Sequence, residues 1–215
     1  MHIGIIPDGN RRFAKQADIS QRDAYLRGFQ VIKDIITHMS HKQSDLGIYT
    51  LTLYVCSKDN LTKRPAEEVA VIHEMLEKFI TYFNKEHQGD PATAIKVNII
   101  GNIKRLLPSH LYQQLKTIQR RSRHSAAIYT LNLAIGYDPW TDTKRLVLDE
   151  TRRHLVSPID AVIRTGYEKR ISGFFPMQII YAELYFLDKY FPEFTIEDLK
   201  AVVADFRQKD RRYGK

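Results

Sequence analysis

Apolar residues along the chain form two kinds of stretch, short continuous runs and longer segments with helical spacing. Short runs rich in β-branched and aromatic residues predict strands at residues 2–7, 48–56, 94–100, 126–134 and 159–164, with a further strand at 183–186. Apolar residues three and four positions apart predict helices at 21–39, from 65 onward, at 108–121, at 141–154 and from 195 to about 208. This alternating order predicts an α/β fold, with a mostly parallel sheet that helices cover on both faces.

The composition supports one folded unit. The chain has 215 residues, of which 43% are hydrophobic, enough to bury a substantial core. No repeat or linker-like tract divides it, so a single domain over residues 1–215 is expected. Cys56 is the only cysteine, which argues against a disulfide framework or a zinc cluster and fits a reducing, cytoplasmic location. No apolar run has the length of a membrane span, and the first strand begins at once, so neither a membrane helix nor a signal peptide is expected.

The net charge of +8 favours binding partners that carry negative charge. Nucleic acid, an anionic membrane surface and polyphosphate substrates all attract a basic protein. The basic residues are scattered, and no zinc-finger or RNP-type pattern is present, which argues against nucleic acid. A phosphate-bearing substrate and a peripheral membrane contact remain compatible with the charge.

The segment 163–172 carries candidate chemistry for phosphate binding. Arg164 and Arg170 lie six positions apart around a glycine turn, and Ser172 follows them. Arginine forks suit phosphate oxygens, and a serine hydroxyl adds a neutral donor. Glu183 lies in the mostly apolar run that follows, where an acid is costly unless it is paired or holds a metal. The segment indicates a diphosphate site beside a divalent cation, although an exposed loop with a salt-bridged glutamate would show the same residues.

The start of the chain adds a second candidate site. A short apolar strand ends in Asp8-Gly9-Asn10, and the basic residues Arg11 and Arg12 open a helix. Ligands of open α/β sheets bind beyond the carboxyl ends of strands, where free amides and the helix dipole favour phosphate. Gly9 permits close approach of the backbone to a ligand, and Asp8 can hold Mg²⁺ against phosphate oxygens. A tight strand-to-helix turn is the alternative, because the same residues are common in turns.

Five stretches, taken in order, resemble the motifs of one enzyme family. They are Asp-Gly-Asn-x-Arg-aromatic-Ala at 8–14, Leu-Tyr-x-x-Ser-x-Asp-Asn at 53–60, Arg-Thr-x-x-Glu-x-Arg-x-Ser at 164–172, Gln-x-x-Tyr-x-Glu at 178–183, and a basic tail at 210–214. Through nearly its whole length the chain is similar to the cis-prenyltransferases, the family of undecaprenyl diphosphate synthase. The resemblance implies a six-stranded sheet with a hydrophobic tunnel. It also implies a Mg²⁺-dependent condensation of isopentenyl diphosphate with an allylic diphosphate, carried out by a homodimer.

The resemblance further implies roles for the residues of the reaction itself. Asp8 and Glu183 match the family's metal carboxylates, so both are predicted to hold Mg²⁺. Asn60 matches a loop asparagine that assists proton removal, although it could be a simple turn residue. Asp8 and Asn60 are therefore the predicted catalytic residues.

A larger set of residues is predicted to bind the two substrates. Arg164, Arg170 and Ser172 match the isopentenyl diphosphate site, and Arg12 matches the allylic diphosphate site. A tail arginine and glycine complete the neighbouring subunit's site in the family. Arg22 lies one position away from a further family arginine. The predicted substrate-binding residues are Gly9, Asn10, Arg11, Arg12, Phe13, Arg22, Ser57, Arg64, Arg164, Arg170, Ser172, Arg212 and Gly214.

Departures from the family pattern leave alternatives open. Tyr25 stands where the family commonly has histidine, and the segments 136–140 and 173–178 differ from the usual sequences. The Phe-Phe-Pro at 174–176 is similar to the head-to-middle, lavandulyl-type branch, in which two allylic units combine. Besides that branch, the alternatives are a non-catalytic subunit of a heteromeric prenyltransferase and a phosphate-dependent nucleic-acid binder. The joint presence of Asp8 and Glu183 argues against the non-catalytic subunit.

Bulky residues predict a short product. Tyr129, Phe79 and Phe83 are expected to close the tunnel early, because a packed interior leaves few voids. The expected product is about C10–C20 rather than a long chain, an estimate from side-chain packing. The alternative is that Tyr129 only packs against a helix.

Overall fold

A six-stranded parallel sheet forms the centre of the protein. The computed structural model describes residues 1–40, 46–86, 95–123, 127–148 and 156–210, apart from the side chain of Arg145. The strands are β1 His2–Ile6, β2 Thr50–Ser57, β3 Ile95–Ile100, β4 Tyr129–Tyr137, β5 Ala161–Arg164 and β6 Glu183–Phe186. They are ordered β3-β4-β2-β1-β5-β6, and every neighbouring pair is parallel. The predicted α/β fold is confirmed.

Eight helices surround the sheet within the described ranges. They are α1 Asn10–Gln16, α2 Gln21–Ser40, α3 Lys58–Thr62, α4 Ala66–Glu86, α5 Ile103–Leu106, α6 Ser109–Ser122, α7 Pro139–Leu148 and α8 Ile196–Gln208, with a 3-10 turn at Phe191–Glu193. The short helices α3 and α5 were not predicted, since one turn shows no periodicity in sequence. The end of the helix predicted at 141–154, and the first residues of the strands predicted at 94–100 and 126–134, lie outside the described residues.

One face of the sheet packs on the long helices. Alternate side chains of β2 and β4 point to this face, including the buried Leu53 and Leu133. They form one core with apolar residues of α2, α4 and α6, such as Ile36, Leu76 and Leu115. None of the described helices is both long enough and apolar enough to cross a membrane.

The opposite face carries a buried polar ladder. Asn98 donates to Asn132 at 2.9 Å, and Asn132 donates to the Thr52 hydroxyl at 2.9 Å. His2 lies 2.7 Å from the same hydroxyl, and burial lowers the pKa of the His2 imidazole to about 4. Around this ladder a second apolar cluster contains Phe174, which is fully buried. The polar groups are satisfied across four strands, so the sheet keeps one register at its centre.

Because all strands run in one direction, their carboxyl ends meet at a single edge. Asp8 follows β1, Ser57 ends β2, Tyr137 ends β4 and Arg164 ends β5. This edge is where open α/β sheets place ligands. The fold therefore brings the predicted site residues from distant parts of the chain to one rim.

Candidate functional site

A cavity of about 1060 Å³ opens at the carboxyl edge of the sheet. Its interior lies between β2, β4, α2 and α4 and is apolar. The apolar lining includes Phe29, Ile32, Leu53, Val55, Ile72, Met75, Leu76, Phe79 and Leu133. The predicted residues that line it are Asp8, Gly9, Asn10, Arg11, Arg12, Ser57, Asn60, Arg64, Arg164, Arg170 and Ser172. A charged mouth above an apolar interior suits a ligand with an anionic head and a hydrocarbon tail.

Five charged side chains at the mouth form a chain of alternating sign, here called the charge chain. The Arg164 guanidinium donates to Asp8 at 2.6 Å, and the other Asp8 carboxylate oxygen lies 3.5 Å from Arg12. Arg12 continues to Glu168 at 3.0 Å, and the second Glu168 oxygen accepts from Arg170. Three cations and two anions leave one net positive charge in the free site. Diphosphate oxygens would therefore meet arginines whose positions are already restrained.

Arg164 is the buried anchor of the charge chain. Its side chain is only 4% exposed, yet it carries a charge that Asp8 balances. Arg164 also donates to the Ser172 hydroxyl at 2.8 Å and to the carbonyl of Arg170. Its Nε is buried and has no hydrogen-bond partner among the described residues. Arg164 thus fixes the loop after β5, and it retains one unused donor beside the cavity.

Two glycines allow the turns after β1 and β5 to touch. Gly9 has φ +99°, and a Cβ placed there would lie 3.1 Å from the Gly166 Cα and 2.5 Å from the Tyr190 ring. Gly166 has φ +90°, and its Cβ would lie 2.9 Å from the carbonyl carbon of Asp8. Side chains at either position would separate the two turns. The charge chain, which crosses this contact, depends on both glycines.

The loop after β5 contains three non-glycine residues in the left-handed region. Tyr167, Ser172 and Phe175 have φ of 63°, 48° and 38°. Such a conformation costs about 1–2 kcal/mol for each residue with a side chain. Burial offsets this cost at the far end of the loop, because Phe174 and Phe175 are fully buried beneath it. The Ser172 hydroxyl is consequently held where Arg164 can reach it.

Ser57 and Asn60 cap α3 at the mouth. The Ser57 hydroxyl accepts from the Asn60 amide at 3.1 Å, and the Asn60 side-chain oxygen accepts from the Ser57 amide at 3.0 Å. This reciprocal cap satisfies two backbone donors and fixes both side chains. The side-chain nitrogen of Asn60 takes no part in the cap. Both residues line the cavity, but their oxygen atoms have a structural role that the sequence motif did not reveal.

A second polar connection crosses the mouth from α1 to α2. Arg11 donates to Glu68 at 3.3 Å, and Arg64 lies 3.8 Å from the same carboxylate. Arg64 also donates to the Tyr25 hydroxyl at 2.9 Å. Nothing in the sequence marks Glu68 for a role at the mouth, and Tyr25 stands out only as a departure from the family. The structure adds both to the cavity wall, where Tyr25 positions a predicted substrate-binding arginine.

Aromatic side chains form a further part of the wall. The Tyr54 ring meets the Tyr137 ring edge-on, with centroids 5.8 Å apart, and Tyr137 stacks on Phe175 at 4.5 Å. Burial raises the pKa of Tyr54 to about 12, so its phenol stays neutral. Trp140, at the start of α7, lines the mouth but is 85% exposed. The sequence shows aromatic residues at the ends of β2 and β4, and these could have indicated an aromatic wall.

Two predicted substrate-binding residues lie away from the cavity. Phe13 is buried in a small cluster with Ala24, and its ring meets that of Tyr190 at 6.4 Å. Arg22 donates to Glu74 on α4 at 2.8 and 2.6 Å. In its place Gln21, one position earlier on α2, lines the cavity. The structure does not bring Phe13 or Arg22 to the cavity wall, and their assignment to substrate binding stays a prediction.

The two predicted metal carboxylates, Asp8 and Glu183, lie at different ends of the sheet, and their role as metal ligands stays a prediction. Glu183 begins β6 and pairs with Ala161, at the amino end of β5. Asp8 lies beyond Ile6, which pairs with Arg164 at the carboxyl end of β5. The strand rise alone separates these two levels by about 10 Å. The predicted tail residues Arg212 and Gly214 lie outside the described residues.

Asp8 remains a suitable partner for Mg²⁺. No group of three or more His, Cys, Asp or Glu side chains in the described ranges could hold a metal by itself. Mg²⁺ commonly binds through one or two carboxylates together with phosphate oxygens and water. A single carboxylate at the mouth of a phosphate site fits that pattern, and Asp8 lines the cavity.

The chain is similar over nearly its whole length to a known protein family, to curated relatives and to a solved structure. The family model for undecaprenyl diphosphate synthases matches residues 6–214. The tritrans,polycis-undecaprenyl-diphosphate synthase (geranylgeranyl-diphosphate specific) of Aeropyrum pernix is 35% identical, over 99% of this chain and 97% of that protein. The ditrans,polycis-undecaprenyl-diphosphate synthase ((2E,6E)-farnesyl-diphosphate specific) of Salmonella typhimurium is 31% identical, over 99% of this chain and 89% of that protein. The fold is also similar to the structure of lavandulyl diphosphate synthase from Lavandula x intermedia in complex with dimethylallyl diphosphate, with a TM-score of 0.85. The two sequences are 26% identical, and the match covers 100% of this chain and 98% of that one.

Proposed function

The chain belongs to the undecaprenyl diphosphate synthase family of cis-prenyltransferases, and on that premise we propose that it condenses isopentenyl diphosphate with an allylic diphosphate. The allylic carbon–oxygen bond breaks and diphosphate leaves. The double bond of the isopentenyl unit supplies the electrons for the new carbon–carbon bond. Loss of a proton then leaves a new cis double bond. The observation that carries this proposal is the charge chain at the mouth of an apolar cavity.

The residues of the charge chain divide between the two diphosphates. Arg12, with the backbone of Gly9 and Asn10, holds the allylic diphosphate, and Asp8 is the site for the metal. A Mg²⁺ ion bound there would offset the charge that develops on the leaving diphosphate. The allylic hydrocarbon extends into the apolar cavity, where water is excluded. Asn60 is the candidate to assist proton removal at the mouth.

Incubation of the purified chain alone tests this function. With Mg²⁺, isopentenyl diphosphate and a set of allylic diphosphates from dimethylallyl to geranylgeranyl, we expect products whose mass rises in steps of one isoprene unit. Products from the chain alone would also contradict the alternative of a non-catalytic subunit. Consumption of neither substrate would contradict the proposal.

Arg170, with Arg164 and Ser172, holds isopentenyl diphosphate. Arg170→Ala is expected to raise the KM for isopentenyl diphosphate by about 10- to 100-fold, because a charge-assisted contact contributes about 1.5–3 kcal/mol. The KM for the allylic partner should change much less. Steady-state kinetics with each substrate varied in turn measure the two values. Arg22→Ala removes another exposed, glutamate-paired arginine and serves as the matched control. Equal increases for both substrates would contradict the assignment.

The second candidate function is head-to-middle condensation of two allylic diphosphates. The observation that favours it is the similarity, with a TM-score of 0.85, to a lavandulyl diphosphate synthase. The Phe-Phe-Pro at 174–176 lies beside the proposed isopentenyl site, and the first two residues are fully buried. Dimethylallyl diphosphate as the sole substrate separates the two functions, because only the head-to-middle reaction gives a ten-carbon product from it.

The product is proposed to be short, about C10–C20 from packing considerations, and Phe79 is its proposed limit. Phe79 lines the cavity and packs against Phe83, whose ring centroid lies 5.7 Å away. Tyr129 does not line the cavity but stacks on Tyr49 at the other end of β4. Phe79→Ala is therefore expected to shift the products to longer chains, as read by mass spectrometry. Tyr129→Ala is the control and should leave the distribution unchanged. Long products from the unmodified protein would contradict the proposal.

A homodimer is the proposed assembly. β6 is an edge strand, and exposed apolar residues lie on and before it, namely Met177, Ile180, Tyr181 and Leu184. Such a cluster beside an open sheet edge is typical of a surface that another chain covers. In the proposed dimer Arg212 and Gly214 complete the neighbour's isopentenyl site. Removing residues 211–215 should lower turnover without changing the dimer mass in light scattering. A fully active monomer after this deletion would contradict the proposal.

The proposed location is the cytoplasm, with a peripheral membrane contact. The support for the first is Cys56, the single cysteine, which is buried and unpaired. The support for the second is the net charge of +8, which favours anionic lipid. Fractionation of cells and flotation of the protein with anionic vesicles test the two statements. Protein confined to an oxidising compartment, or absent from the vesicle fraction, would contradict them.

A further inference from the structure

Glu168 joins the two halves of the charge chain. One carboxylate oxygen accepts from Arg12 at 3.0 Å, and the other accepts from Arg170. Arg12 comes from α1, whereas Arg170 follows Glu168 in the loop after β5. The two arginines belong to different proposed diphosphate sites. A single carboxylate therefore connects the group that holds the allylic diphosphate to the group that holds isopentenyl diphosphate.

Stability does not account for this arrangement. The side chains of Arg12 and Arg170 are 42% and 62% exposed, and that of Glu168 is 26% exposed. Ion pairs with this exposure contribute little to folding. A carboxylate in a site for two polyanions also lowers the local affinity for phosphate. We therefore look for the function of Glu168 in how it orients Arg12 and Arg170, whose guanidinium groups both donate to it.

We propose that Glu168 is a positioning residue that couples the two diphosphate sites. Each carboxylate oxygen orients one guanidinium, so that the remaining donors of both arginines face the cavity. The first diphosphate to bind immobilises its own arginine and, through Glu168, the other one. The second diphosphate then meets a group that has already lost its mobility, which produces positive cooperativity. The inference rests on the proposed function, since it assumes that Arg12 and Arg170 serve different substrates.

The test measures this coupling by calorimetry. Isopentenyl diphosphate is titrated into the Mg²⁺-supplemented protein with and without geranyl S-thiolodiphosphate, an allylic analogue that does not react. In the unmodified protein we expect the analogue to tighten isopentenyl diphosphate binding by about 5-fold or more, the lower end of typical coupling between sites. In Glu168→Gln the ratio should fall to about 1, because only one side-chain oxygen remains to accept. Each diphosphate alone should bind Glu168→Gln as tightly as the unmodified protein, or more tightly.

Two further variants separate charge from geometry. Glu168→Asp keeps the charge but is one methylene shorter, so it should lose the coupling without gaining affinity for either diphosphate. Glu197→Gln removes an equal charge from the exposed first turn of α8 and should retain the coupling. In steady-state kinetics Glu168→Gln should lower kcat by about 10-fold or more, because positioning is lost. The KM for isopentenyl diphosphate at saturating allylic substrate should rise by about the lost coupling factor and no more.

The possible failures are distinguishable. Unchanged coupling in Glu168→Gln or Glu168→Asp would overturn the role of Glu168, and so would an unmodified protein that binds and turns over both substrates without coupling. The proposed function would stand in each of these cases. If the unmodified protein binds neither diphosphate, the proposed function and this inference are both overturned.

Discussion

Asp8→Asn is expected to lower turnover at saturating substrate by about 1000-fold. A metal-binding carboxylate supplies several kcal/mol of transition-state stabilisation, and about 4 kcal/mol corresponds to that factor. Asparagine keeps the size of the side chain and one oxygen to accept from Arg164, but it loses the charge that attracts Mg²⁺. The measurement is kcat over a range of Mg²⁺ concentrations. Activity close to that of the unmodified protein would show that Asp8 is only a turn residue.

Asp8→Ala should behave differently from Asp8→Asn in stability. The Asp8 side chain balances Arg164, which is 4% exposed, so alanine would leave a buried guanidinium without its counterion. Breaking a buried pair costs about 3–5 kcal/mol, and the partial exposure of Asp8 reduces the expected loss to about 2–3 kcal/mol. Denaturant unfolding of the two variants, side by side, separates the loss of the metal site from the loss of the ion pair.

Gly9→Ala is expected to lower activity by at least about 100-fold, because small displacements of reacting groups have effects of that size. Gly9 has φ +99°, and its new Cβ would lie 2.5 Å from the Tyr190 ring and 3.1 Å from the Gly166 Cα. The substitution pushes the turn that carries Asp8 away from the turn that carries Arg164. Both activity and thermal stability should therefore fall.

Gly47→Ala is the matched control for this prediction. Gly47 also has a positive φ, +61°, but its Cβ would meet only the flexible end of Arg207, at 3.1 Å. The backbone strain of about 1–2 kcal/mol is common to both variants. A small loss of stability with full activity is expected at Gly47. Similar activities for the two variants would show that the contact between the turns has no role in the reaction.

The sequence predicts well which residues lie at the carboxyl ends of the strands, because all the strands run in one direction. Asp8 and Ser57 each directly follow a predicted strand, and Arg164 ends one. Parallel strands bring their carboxyl ends together whatever the order of the strands. The partners of these side chains are not predictable in this way. Glu168 and Glu68 each bind arginines that only the folded chain brings near. The motif at 164–172 contains Glu168 but does not indicate its contact with Arg12, and nothing local to Glu68 distinguishes it from an ordinary surface residue.

Some predicted site residues lie away from the cavity for equally physical reasons. Successive helix positions differ by about 100° around the axis, so the one-position offset of Arg22 directs it to Glu74, and Gln21 meets the cavity instead. Glu183 lies at the opposite end of its strand from the site, which depends on the pairing register of β6. The alternation of side chains along β4 predicts which face of the sheet Tyr129 points to. It does not predict how far along the strand the cavity extends, and Tyr129 does not line the cavity.

The configuration of the newly formed double bond is the most direct test of the proposed reaction. The purified protein is given Mg²⁺, ¹³C-labelled isopentenyl diphosphate and geranyl diphosphate, and the product is analysed by mass spectrometry and NMR. We predict a linear product in which each added unit is joined head to tail and carries a cis double bond. A branched product, a trans double bond at the added unit, or no incorporation of the labelled unit would contradict the proposed reaction.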